Sequence, residues 1–298
     1  MQTILLTGAN GHLGSRLISR LVGKYKVLAV VRSNHASQSL GKAVGELDNL
    51  TIEIVDYNDE ATLIETIHGC DHAVHLVGII KTGKYNSYED AHQGPCRILA
   101  SAAERVGIKS IVYLSLLGSD PESDNACLAS RGESENILMA GSVPVVVVRV
   151  PMVLGEDDFA SRSLAKKARS KIVITLRAQS REQPIYAGDV IEAIVKLLDS
   201  EINEVIELAG PESLTRSSLI QRASSITAIQ PVIISVPLCL GLVFAGVLEK
   251  LMASPPATRD MLMILDHDDN VDVSAVSDRL GLPLTPLDRI LEKVLLQP

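Results

Sequence analysis

Thr3-Ile4-Leu5-Leu6-Thr7-Gly8-Ala9-Asn10-Gly11-His12-Leu13-Gly14 is the stretch that decides the fold. An apolar run breaks into three glycines spaced Gly-x-x-Gly-x-x-Gly, and an amphipathic segment, Ser15-Arg16-Leu17-Ile18-Ser19-Arg20-Leu21-Val22, follows at once. The order reads as strand, tight turn and helix N-terminus. Such a turn aims backbone N–H groups and the positive end of a helix dipole at one point, where a diphosphate is the natural ligand. Gly8 is placed for a positive φ, Gly11 for close backbone approach to a pyrophosphate, and Gly14 for tight packing of helix on strand. The expected cradle is Thr7, Gly8, Asn10, Gly11, His12, Leu13 and Gly14. The triplet carries weight because of its context, directly after a strand and at the head of a helix.

Outward from this turn, strands and helices alternate. Apolar, β-branched runs occur at Thr3–Leu6, Lys26–Val31, Leu50–Val55, His72–Val77, Ser110–Leu114 and Pro144–Val150. Their near-continuity is expected of parallel strands buried on both faces. Helical patterns fall between them at Leu13–Val22, Asp59–Ile67, Tyr88–Val106 and Leu128–Met139, with Gly107 placed to cap the third. This rhythm implies an α/β fold, a doubly wound parallel sheet with right-handed crossovers. After Val150 it loosens: Ser161–Lys171 is basic, Pro184–Tyr186 and Glu204–Leu208 read as short strands, and Asp189–Leu198 as a helix. The expected organisation is a dinucleotide-binding domain over residues 1–153 and 184–209, with a smaller substrate or partner lobe over 154–183 and 210–298.

Composition bounds the function. The 298 residues are 46% hydrophobic and 21% charged, enough for a full core, and the formal net charge of −8 argues against a nucleic-acid partner. Aromatic residues are only 3%, which leaves few stacking platforms for single strands. Cys70, Cys96, Cys127 and Cys239 show no Cys-x-x-Cys, so a reducing, cytoplasmic setting is expected and a zinc site or disulfide framework is not. The first strand opens immediately, so no signal peptide is expected. Val232–Leu248 is nearly all apolar but is broken by Pro237, Gly241 and Gly246 and is short for a bilayer span. It is expected to form a strand ending near Val236 and then a buried helix, with a helix lining an apolar substrate cleft or touching a membrane surface as the alternative. Arg162, Lys166 and Arg169 share a helix face, a solvated stripe or a meeting point for anionic lipid or an acidic partner.

In a doubly wound sheet the ligand lies across the C-terminal strand ends at the switch point. The second strand ends in Arg32-Ser33-Asn34 where an NAD site usually carries a carboxylate for the ribose 2′-hydroxyl. A guanidinium holds a 2′-phosphate that a carboxylate would repel, so NADP(H) is favoured over NAD(H). Asp56 and Tyr57 at the third strand end are expected beside the cofactor, where Asp56 either accepts from an adenine amino group or forms a turn. Val77 and Gly78 end the fourth strand, where Gly78 permits backbone approach to ribose. His72 and His75 face opposite sides of one strand and cannot share a metal. Asp266-His267-Asp268-Asp269 lacks calcium-loop spacing and reads as a solvated turn, so no metal site is expected.

Taken in order, several motifs resemble the short-chain dehydrogenase/reductase superfamily in its extended and atypical branches. They are the Thr-Gly-x-x-Gly-x-x-Gly start, Asp56-Tyr57, His75-Leu76-Val77-Gly78, Val112-Tyr113-Leu114-Ser115, Arg149-Val150-Pro151-Met152-Val153-Leu154-Gly155 and Gln183-Pro184-Ile185-Tyr186-Ala187-Gly188-Asp189-Val190. Gly210-Pro211-Glu212-Ser213-Leu214-Thr215 resembles a turn of NmrA-like and complex I accessory-subunit-like members. The resemblance implies a Rossmann domain, a bound nicotinamide dinucleotide and a C-terminal lobe that defines any pocket, for an apolar or quinone-like small molecule. Members that reduce carbonyls use Ser, Tyr and Lys, the last two as Tyr-x-x-x-Lys. Ser115 matches the Ser. Cys127 stands for the Tyr and Arg131 for the Lys, with Arg131 also able to bind ribose hydroxyls. Cys127 is either a substitute proton carrier or a small buried thiol. Tyr85, Tyr88 and Tyr113 are further phenols without a paired base. The implied protein is an NADP(H)-binding oxidoreductase-like member with a degenerate site, or a non-catalytic redox sensor or assembly factor.

Overall fold

A computed structural model describes residues 1–83, 86–252 and 255–296. The first half alternates as expected: β1 (Thr3–Thr7), α1 (His12–Leu21), β2 (Lys26–Val31), α2 (Asn34–Val44), β3 (Leu50–Ile54), α3 (Glu60–Ile67) and β4 (His72–His75). A π-helical turn (Glu89–Gln93) leads into α4 (Gly94–Val106), then β5 (Ser110–Leu116), α5 (Ala126–Met139) and β6 (Val145–Val150). The second half holds β7 (Val153–Leu154), α6 (Phe159–Ala168), β8 (Ile172–Leu176), β9 (Arg181–Glu182), β10 (Ile185–Tyr186), α7 (Ala187–Leu197), β11 (Glu204–Glu207) and β12 (Leu214–Thr215). It closes with α8 (Arg216–Ile226), β13 (Val232–Val236), α9 (Leu238–Leu251), α10 (Arg259–Met263), α11 (Ser274–Leu280) and α12 (Leu287–Leu295).

The chain divides into two compact units. One comprises Met1–Ile79, Asn86–Arg149 and Ile191–Ile206, the other Ile80–Tyr85, Val150–Val190 and Glu207–Pro298. The first unit is built on a seven-stranded sheet in the order β11-β6-β5-β4-β1-β2-β3. Parallel ladders join β3 to β2, β2 to β1, β1 to β4 and β4 to β5. The strand order reverses between β1 and β4, where Thr7 is the register partner of His75. Continuous burial of Ile4, Leu5 and Leu6 matches their unbroken apolar run, and each such side chain contributes about 1.5–3 kcal/mol. The expectation of two buried faces fails for β3, whose Thr51, Glu53 and Ile54 are exposed because it is the sheet edge. Local signals hold at the helix ends: the Asp59 side chain accepts from the Thr62 N–H, and Gly107 sits at φ +79° to close α4.

In the second unit β8 pairs in parallel with β13, and an apolar core joins Leu164, Val173, Leu219, Ile220, Ile290 and Leu291. The strand expected to end near Val236 is β13. The buried helix expected after it is a correction. Only Ala245 and Gly246 of α9 are buried, and Leu240, Val243, Phe244, Val247 and Leu251 are exposed. Hydropathy registered how apolar the run is but not what covers it. Among the described residues no helix is long and apolar enough to cross a membrane. In the acidic Asp266–Asp269 stretch the first three residues are exposed, as expected of a solvated turn, and only Asp269 is partly buried. Asp266 pairs with Arg177 at 2.5 Å, Asp268 accepts from the Arg181 N–H, and burial raises the Asp269 carboxyl to about 6.

Candidate functional site

The β1–α1 turn is fixed by backbone contacts that leave no room for side chains. Gly8 adopts φ +73°, and a Cβ there would stand 2.9 Å from the Leu76 carbonyl carbon at the end of β4. A Cβ on Gly14 would meet the carbonyl oxygens of Gly8 and Ala9 at 2.6 Å. The Gly11 N–H donates to the Gly8 carbonyl at 3.0 Å, closing the turn. Gly11 then serves as N-cap of α1 with no side chain to occupy the helix end. Asn10, Gly11 and His12 are exposed, Leu13 is half-buried and Thr7 is buried. First-turn amides have no intrahelical partner, so His12, Leu13 and Gly14 present N–H groups and a helix dipole at the crevice where the strand order reverses. This cradle fits a diphosphate.

Tyr57 lies directly behind the turn. It is buried, its hydroxyl accepts from the Gly8 N–H at 3.0 Å and donates to the Val30 carbonyl at 2.8 Å. It therefore ties the turn to the end of β2. Asp56 is exposed, and its Oδ1 accepts from the Asn58 N–H at 3.0 Å, an Asx turn. Arg32 is exposed at the end of β2, and the next residue, Ser33, caps α2 by accepting from the Ala36 N–H. A guanidinium beside a second helix N-terminus makes an anion-attracting corner.

The candidate catalytic residues are buried and engaged with protein partners. Arg131 donates from Nη1 to the Val77 carbonyl (3.1 Å), the Tyr113 hydroxyl (2.9 Å) and the Leu114 carbonyl (3.2 Å). Its guanidinium fills the space a side chain at residue 78 would need, because a Cβ on Gly78 would lie 1.7 Å from Arg131 Nη2. Cys127 is fully buried in the first turn of α5, with Sγ 3.6 Å from the Ile79 carbonyl it donates to. Ser115 is 1% exposed, and its hydroxyl donates to Glu135 Oε1 at 2.5 Å. Glu135 in turn pairs with Arg149 at 2.5 Å. Tyr88 is buried and stacks on His92, Tyr113 is buried under Arg131, and Tyr85 lies outside the described residues.

Sequence reasoning missed the polar side chains that organise this region. His92 bonds the Ile79 backbone through Nε2 at 3.0 Å and the Ser130 hydroxyl through Nδ1 at 3.0 Å. His75 Nδ1 is 2.6 Å from the Thr7 hydroxyl. Burial, reinforced by the Arg131 charge, pushes both imidazoles down to about 3, so both are neutral near pH 7. His75 Nε2 and Arg131 Nε are buried without a hydrogen-bond partner among the described residues. The one available signal was spacing on α5: Cys127, Arg131 and Glu135 recur every four residues, so they share a helix face. Among the described residues no three His, Cys, Asp or Glu side chains group as a metal site.

A parallel sheet in this strand order, with a glycine turn and a bare helix N-terminus at its switch point, defines a Rossmann-type dinucleotide-binding protein. The chain belongs to the NAD(P)H-binding family, whose model matches residues 8–201, and within it is of the atypical short-chain dehydrogenase/reductase type. It is 24% identical over 289 residues to the mitochondrial NADH-ubiquinone oxidoreductase 40 kDa subunit of Neurospora crassa, covering 96% of this chain and 76% of that one. It is also 24% identical over 257 residues to a ceramide reductase of Caulobacter vibrioides, covering 84% and 78%. In structure it is similar to a UDP-glucuronic acid 4-epimerase from Bacillus cereus, with TM-score 0.75, 18% identity and coverage of 99% and 98%. A nicotinamide dinucleotide is thus the cofactor class, and the glycine cradle fits it.

Proposed function

We propose that this chain binds NADP(H) through the β1–α1 turn and acts as an oxidoreductase-like protein without the Tyr-x-x-x-Lys relay. The observation that carries the reading is the cradle: a bare, exposed helix N-terminus at the switch point, closed by Gly8 and Gly14. The amides of His12, Leu13 and Gly14 would hold the diphosphate, Arg32 would hold the 2′-phosphate, and Asp56 would accept from an adenine amino group. Val77 and Gly78 form the ribose-side backbone, with Arg131 holding that strand end in shape. When bound, the nicotinamide supplies or accepts hydride. An apolar or quinone-like molecule is the substrate class we favour, and the ceramide reductase and ubiquinone oxidoreductase names among the relatives support that choice. The buried thiols fit a reducing, cytoplasmic setting.

The commitment of Ser115, Cys127 and Arg131 to protein partners favours a second reading, a non-catalytic dinucleotide-dependent sensor or assembly factor. Two measurements separate the outcomes. Calorimetry on ligand-stripped protein is expected to give one NADPH site per chain, and no heat with either coenzyme would overturn both readings. Stopped-flow absorbance of bound NADPH against a panel of quinones and carbonyls then decides turnover. Oxidation above the buffer rate supports the oxidoreductase, and binding with no oxidation across the panel supports the sensor.

A further inference from the structure

The second unit contains a cavity of about 330 Å³ that the dinucleotide reading does not use. Its walls are Met152, Leu164, Leu176, Leu219 and Ile220, contributed by the β6–β7 junction, α6, β8 and α8. Phe159 and Ile174, both about two-thirds exposed at 68% and 67%, mark its mouth. Three charged side chains also line it: Lys167, Glu182 and Arg216. Glu182 and Arg216 are buried and joined at 2.6 Å, and Arg216 also donates to the Leu176 carbonyl, so that pair is neutral and internally satisfied. Lys167 is the surplus charge. Burial lowers its ammonium, with Glu182 opposing and Arg216 reinforcing that change, as expected of a cation held without a carboxylate of its own.

An apolar cavity with one surplus cation suits one class of ligand. Its wall disfavours a compact hydrated anion such as phosphate, and its cation disfavours a plain hydrocarbon. At roughly the 30 Å³ that a water-sized group fills, the space holds about ten heavy atoms. We propose that the second unit binds a medium-chain alkyl carboxylate, with the chain against Leu164, Leu219 and Ile220 and the carboxylate on Lys167. The exposed Phe159 and Ile174 form the entrance for the chain. The site lies wholly within one unit and is independent of the dinucleotide reading.

Decanoate titrated calorimetrically into the coenzyme-free full chain tests this, with decanol and acetate as paired probes. The expected result is one saturable decanoate site, with decanol at least about tenfold weaker for want of the charged hydrogen bond and acetate at least about tenfold weaker for want of the buried chain. Lys167→Met is expected to weaken decanoate by a similar factor, whereas Arg162→Met, an exposed cation on the same helix, changes it less than about twofold. Ser163→Trp, a half-buried lining position, fills the space and abolishes binding, which keeps the test decisive if Lys167→Met fails to fold. Absence of heat, equal affinity for decanol, or equal loss in Arg162→Met would each overturn the proposal. So would several weak sites insensitive to both Lys167→Met and Ser163→Trp, which would assign the binding to the exposed stripe of α9.

Discussion

Arg131 shows how one side chain can settle what its neighbours are. Its guanidinium occupies the space beside Gly78 and bonds two strand-end carbonyls and Tyr113. The glycine at residue 78 is therefore a packing requirement of Arg131, a fact its sequence position did not reveal. Tyr57, expected among the cofactor contacts, also pins the turn through Gly8 and Val30, a structural role its position did not announce. The glycine cradle was legible because positive φ and close approach can be satisfied only by glycine. The pairs His92–Ser130 and Glu135–Arg149 were not, because each joins residues well separated in sequence. Two substitutions test this scale. Gly14→Ala is expected to cost about 1–3 kcal/mol, since its methyl meets two backbone oxygens that cannot yield, and to abolish coenzyme binding. Urea denaturation and calorimetry read both. Arg32→Ala is expected to weaken NADPH at least about tenfold and NADH less than about twofold. Equal losses would remove Arg32 from the phosphate site.

At the scale of elements, the strands of the seven-stranded sheet were read well and several helices were not, α2 and α9 among them. α2 was absent from the reading because only Ala36 and Leu40 face the core, and Gly41 interrupts its Ser-rich stretch. Ser33, which caps it, was the available signal. α9 was found but assigned to the interior. Its large apolar side chains at 240, 243, 244, 247 and 251 form one outward stripe. A substitution separates the two descriptions. Val243→Glu is expected to shift unfolding free energy by less than about 0.5 kcal/mol, as at other surface positions. A loss of several kcal/mol in a urea titration would mean that the stripe is covered in solution.

Over the whole molecule, alternation announced the first six strands, and β11 was read as a strand at Glu204–Leu208, but nothing local to it named β6 as its partner. β11 comes after an intervening segment of the other unit and carries only Ile206 as a buried residue. Two responses belong to this scale. NADPH at a hundredfold excess over its dissociation constant is expected to stabilise the folded chain by about 2.7 kcal/mol, readable as a raised thermal midpoint. Acid should act oppositely on the two units. The folded values of His75 and His92 lie near 3, below that of an unfolded imidazole, so their stabilisation is complete above pH 6.5. It falls by about 1.4 kcal/mol per pH unit for each imidazole as pH drops from 6.5 toward 3. The folded value of Asp269 is raised to about 6, so its burial costs least below pH 4 and most above pH 6. Acidification from pH 6.5 to 5 should therefore loosen the first unit and firm the second. Hydrogen exchange across that range checks the sign, and His92→Gln should remove one imidazole's share of the loss.

Because β11 is the outermost partner of β6 yet follows residue 190, the order of synthesis constrains assembly. A ribosome that has just released Val150 has delivered six strands and an unpaired flank, and the missing partner emerges only some fifty residues later. At 5–20 residues per second that interval lasts roughly 3–10 s, during which the Val145–Val150 edge stays open to wrong partners. A stretch of slow codons between these two strands would lengthen that window, and a chaperone that shields strand edges would matter most within it.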